Sequence, residues 1–138
     1  MADSRTTPNM HHVVIAIAPE RIARVAQLFT DLGFQLDALE LADVGLRVLL
    51  DWTRGMELVT PLTDDPDNPV RQFLDARGDG LYMMVVRVDD IVSAEQIAER
   101  YGATSRFRQH RDIDPWQLDE IEMSVLGLPV TLLATDLP

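Results

Sequence analysis

Apolar positions along the chain fall into short β-branched runs and longer stretches with helical spacing, and the two kinds alternate. His12-Val13-Val14-Ile15-Ala16-Ile17 is too short to stand as a helix and reads as a strand. Pro19-Glu20-Arg21 opens a helix, with proline in the first turn and an acid at the positive end of the dipole. Ile22, Val25, Ala26, Phe29 and Leu32 then share one helical face, Arg21, Arg24, Gln27 and Asp31 lie opposite, and Gly33 stops the helix. Three strand-like runs follow at 34–41, 45–50 and 56–59, of which the first is the weakest. The segment 64–69 has strong turn chemistry, and a short linking helix at about 69–77 leads to Gly78-Asp79-Gly80.

The opening pattern then returns. Met83-Met84-Val85-Val86-Arg87-Val88 is a strand, and Asp89-Asp90 caps a helix with Ile91, Ala94, Ala98 and Tyr101 on one face, ended by Gly102. Strand candidates at 104–108, 120–125 and 130–135 complete the pattern. The order is strand–helix–three strands, twice, with a period of roughly 70 residues. Either unit alone would leave one sheet face bare, so the pattern predicts a single domain over 1–138. Its fold class is α+β, with two βαβββ modules forming a curved mixed, mostly antiparallel sheet around a cavity. Module one spans about 10–62 and module two about 80–136.

Composition narrows the chemistry. At 138 residues and 46% hydrophobic, the chain can bury a core without disulfides or a structural metal. It has no cysteine, which removes thiol nucleophiles, zinc–thiolate sites and iron–sulfur clusters. All 12 basic residues are arginine, so Schiff-base chemistry and a P-loop lysine are excluded as well. With a net charge of −11 and a pI of about 4.5, nucleic-acid phosphates and anionic membranes repel it. No apolar run reaches membrane-spanning length and residues 1–9 are polar, so the expected setting is the cytoplasm.

The repeated module resembles the vicinal-oxygen-chelate superfamily, which includes glyoxalase I, extradiol dioxygenases and antibiotic-resistance proteins. The likeness runs from His11 to Thr135 and in pattern is most similar to the methylmalonyl-CoA epimerase branch. It lies in Met56-Glu57-Leu58-Val59-Thr60-Pro61-Leu62, Pro69-Val70-Arg71-Gln72-Phe73-Leu74, Gly80-Leu81 and Val88-Asp89-Asp90-Ile91. Such epimerases carry a similar series in the same order and spacing.

The resemblance implies a divalent metal held by four inward-facing side chains. Carried over, the first position is His12, the second Glu57, the third Met83 and the fourth Thr131. His12 and Glu57 keep ligand chemistry, so the metal set is incomplete. A thioether is a soft donor and a threonine hydroxyl brings no charge, both unsuited to a hard divalent ion. No tightly bound cofactor is therefore expected. The resemblance also implies a homodimer and a ligand pocket on which His12, Glu57, Met83 and Thr131 converge, with Arg47 on the adjacent strand, half polar and half apolar and suited to a small organic ligand. Tyr82 either donates a hydrogen bond into that cavity or packs at the strand edge.

Alternation by itself puts Glu57, between Met56 and Leu58, on a solvent face. The basic segment Arg106-Phe107-Arg108-Gln109-His110-Arg111 reads either as a solvated loop or as an anion site. Trp52 and Trp116 fall in turn-rich segments and receive no role. Three functions remain open. One is binding of, or action on, a small oxo-acid or acyl-thioester without the usual metal. Another is a metal-dependent isomerase or lyase completed by Glu122 or His110, and the last is a non-catalytic sequestering protein of the resistance type.

Overall fold

The computed structural model describes residues 8–137, the side chain of Ile113 excepted. They divide into two compact units: one runs from His12 to Tyr82, and the other joins the residues before His12 to those from Met83 on. The fold is α+β, and each unit carries one βαβββ module.

In the first unit the elements are β1 (Asn9–Ala16), α1 (Ile22–Asp31), β2 (Asp37–Leu41), β3 (Leu46–Asp51), β4 (Met56–Pro61) and α2 (Pro69–Arg77). The strand order is β2-β3-β4-β1, with β1 parallel to β4 and the other pairs antiparallel. One sheet face takes the helix: Ile17, Met56 and Leu58 pack with Ile22 of α1, joined by Ile15, Val25, Ala26, Phe29 and Leu49. Burying such side chains is the main stabilising term, at about 1.5–3 kcal/mol for each fully buried one. Leu32 departs from the expected helical face; it caps the C-terminus and is exposed. Pro19 and Glu20 lie in the turn before α1, not in its first turn. The helix start is instead fixed by Asp79, which accepts from the Ala18 N–H at 2.9 Å and from Arg21 Nε and Nη2 at 2.6 and 2.9 Å. α2 begins as its sequence foretells: Pro69 opens it, and the Asn68 side chain accepts from the Val70 and Arg71 N–H groups.

The second unit holds β5 (Gly80–Arg87), α3 (Ile91–Glu99), β6 (Thr104–Ile113), β7 (Trp116–Val125) and β8 (Leu128–Thr135). Its order is β5-β8-β7-β6, again with the first strand parallel to the last. Ile121, Met123 and Leu132 pack under α3 with Ile91, Ala94 and Ala98. Asp90 caps that helix, accepting from the Val92 N–H and the Ser93 hydroxyl. Tyr101 falls beyond the helix end and is exposed. The main departure is the β6–β7 hairpin, with strands of 10 residues each where the sequence predicts two shorter runs. Its polar residues are held by cross-strand pairs, so propensity understates its strand character. Among the described residues no helix is long and apolar enough to cross a membrane.

Candidate functional site

The parallel pairing of β1 with β4 sets Val14 opposite Glu57. His12 lies two residues before Val14, so it shares that face and is the diagonal neighbour of Glu57. Met56 and Leu58 turn to α1, and Glu57 turns away from it. His12 is 3% exposed, and its Nε2 lies 3.5 Å from Glu57 Oε1. Alternation is correct in separating Glu57 from Met56 and Leu58, yet the Glu57 side chain is only 15% exposed.

A third side chain completes the group. Trp52 Nε1–H donates to Glu57 Oε1 at 3.0 Å, and the indole stacks on the His12 ring at 4.7 Å between centroids, 20° from parallel. Trp52 opens a 3-10 turn, Trp52–Arg54, between β3 and β4. Buried Asp51 builds this turn, accepting from the Arg54 N–H, from Arg54 Nη1 and from the Gln35 N–H. The Gln35 N–H, with Arg54, holds the Asp51 carboxyl below its ordinary range. Gly55 closes the turn at φ +83°, a conformation glycine adopts without strain, and its N–H donates to Trp52 O. Sequence reasoning gives Trp52 no role. Its signal was positional: a tryptophan five residues before Glu57, between a capping aspartate and a glycine stop.

In the second unit the same register recurs. Val85 on β5 pairs with Thr131 on β8, and Met83 lies two residues before Val85, on the face away from α3. Met83 and Thr131 therefore occupy, on β5 and β8, the places that His12 and Glu57 occupy on β1 and β4. Both are buried. Beside Thr131 on β7 stands half-buried Glu122, its register partner. On the same face Gln109 donates to Glu120 and Arg111 Nε donates to Gln109 Oε1 at 2.9 Å.

Strand alternation splits the basic segment. Arg108 reaches Glu95 of α3, while His110 bonds Asp119 through Nδ1 at 2.7 Å and Asp112 through Nε2 at 3.0 Å. Asp119 above all, with Asp112, raises the His110 pKa. Held between two acids on the face opposite Gln109 and Arg111, His110 is a poor anion site and is not placed with Thr131. Two further pocket candidates are also set apart. Arg47 is exposed and pairs with Thr60, on the other face of its sheet from Glu57. Tyr82 alternates with Met83 and packs edge to face on Phe73 of α2 at 5.2 Å.

As a metal centre the donor set falls short. Its imidazole and carboxylate are one fewer than the three protein ligands of a usual catalytic site, and the equivalent second-unit positions offer sulfur and a neutral hydroxyl. Among the described residues no group of three or more His, Asp or Glu is placed to hold an ion. What the first-unit face can do is present a ring nitrogen, a carboxylate and an aromatic surface to a small organic molecule.

No protein-family model matches the sequence, and no curated protein matches it. Solved structures do match. A hypothetical protein from Bacillus halodurans C-125 superposes with a TM-score of 0.73 at 18% identity, over 94% of this chain and 95% of that one. Methylmalonyl-CoA epimerase from Mycobacterium tuberculosis gives 0.68 at 22% identity, over 97% and 92%. A variant of the Streptomyces coelicolor epimerase, in complex with 2-nitronate-propionyl-CoA, gives 0.67 at 17% identity, over 95% and 98%. At these identities the likeness concerns architecture alone: the chain has the fold of these proteins.

Proposed function

We propose that this protein binds a small oxo-acid or acyl-thioester-type ligand on the face formed by His12, Trp52 and Glu57, without the usual divalent metal. The observation that carries this reading is the meeting of His12 and Glu57, far apart in sequence, on one protected face with an indole closing over both. The Glu57 carboxylate accepts from a ligand N–H, such as those along a CoA arm, and the His12 and Trp52 rings offer apolar and edge contact. The acyl-thioester class is supported by the fold's likeness to an epimerase in complex with 2-nitronate-propionyl-CoA. A homodimer belongs to the same proposal and is checked by light scattering.

The test is titration of metal-stripped protein, in chelator, with propionyl-CoA and separately with 2-oxobutyrate. Trp52 fluorescence is read in a Trp116→Phe background. Saturable binding in chelator is the expected result. Binding that requires added Co²⁺ or Mn²⁺ overturns the metal-free reading in favour of an epimerase-type isomerase. Isomer exchange of a bound thioester then separates an enzyme from a sequestering protein.

A further inference from the structure

We propose that Trp52 is the positioning residue of the His12–Glu57 pair, its indole N–H standing at Glu57 Oε1 in place of a divalent ion. This rests on the reading of that face as the ligand site. An indole N–H only donates, so it complements a carboxylate oxygen as a cation would, and a hydrogen bond to a carboxylate is stronger than one between neutral groups. It ends on Oε1, the same oxygen that faces His12 Nε2. An ion held between His12 Nε2 and Glu57 Oε1 would compete with that bond for the same oxygen.

The placement is built into the chain. Asp51 anchors the start of the turn through three donors and Gly55 closes it, so the backbone delivers the indole to this spot. Stacking on His12 then fixes the imidazole plane while the N–H fixes the carboxylate. Trp52 thus orients both partners, one through its face and one through its edge.

The test compares Co²⁺ binding, by calorimetry and visible absorption, in wild type and Trp52→Phe. Phenylalanine keeps an aromatic ring over His12 and removes the N–H. Co²⁺ affinity is expected to rise about tenfold in Trp52→Phe, the scale of one charge-assisted hydrogen bond, and to fall back in Trp52→Phe/Glu57→Gln. Equal, weak binding by wild type and Trp52→Phe overturns this inference and leaves the proposed function standing. Micromolar binding by the wild type overturns both. A second measurement needs no Trp52 variant: in Glu57→Gln the Trp52 indole N–H resonance moves while that of Trp116 does not. A Trp52 resonance that stays in place overturns the inference.

Discussion

In the first unit, His12 on β1 and Glu57 on β4 are diagonal neighbours on the sheet face away from α1; in the second, the corresponding positions on β5 and β8 are Met83 and Thr131. The register is the same, both pairs sit in a parallel strand pair, and a helix packs on the opposite face in each unit. Only the chemistry differs. On β1 and β4 an imidazole and a carboxylate are joined by an indole, whereas β5 and β8 carry a thioether and a hydroxyl with Glu122 alongside. Topology sets where side chains can meet, and the side chains alone decide what the meeting does.

The strongest check on the shared scaffold is to damage it equally. Leu58 on β4 and Leu132 on β8 follow Glu57 and Thr131 and lie in the two helix-side cores. Leu58→Ala and Leu132→Ala are each expected to cost about 2–5 kcal/mol in urea denaturation. A cost far below this for one of them breaks the structural half of the comparison. Next in size is the chemical asymmetry. Glu57→Leu is expected to weaken binding of the propionyl-CoA probe by about tenfold or more, the scale of one hydrogen bond to a charged group. Thr131→Val is expected to change it by less than about threefold, under about 1 kcal/mol. Equal effects would spread the chemistry over both modules.

The smallest effect concerns the hairpin of the second unit. Two carboxylates raise the His110 pKa, led by the Asp119 hydrogen bond. Its folded pKa thus lies above the unfolded value of about 6.5, so protonation favours the folded state. The stabilisation is fully present below that unfolded value and is lost as pH rises through the folded pKa. His110 is half-exposed, so the gain is small. An NMR titration is expected to place the His110 midpoint above that of His110 in Asp119→Asn.

The strand–helix–three-strand repeat was legible because its cores obey simple periodicity: Ile22, Val25, Ala26 and Phe29 in α1, and alternating apolar residues in β4 and β8. The β6–β7 hairpin was legible only in part, since Gln109, His110 and Arg111 read as loop residues until Glu120, Asp119 and Leu118 stand opposite them. At the site, His12 and Glu57 could be named from resemblance, because a strand position says little about which sheet face is protected. Trp52 could not be named, because its role depends on a turn that Asp51 and Gly55 shape and on two partners from different strands. Arg47 was misplaced by one step of alternation. Val48 is the residue that shares the face of Glu57 and Val59.

The central claim is that the His12–Glu57 face binds its ligand without a tightly held ion, because one imidazole and one carboxylate are too few donors. Its most direct test is calorimetric titration of the metal-stripped wild type with Co²⁺ or Mn²⁺, and separately with propionyl-CoA in chelator. The expected result is only weak, millimolar-range binding of the metal ions beside saturable binding of propionyl-CoA. Micromolar binding of either ion by the wild type would contradict the account.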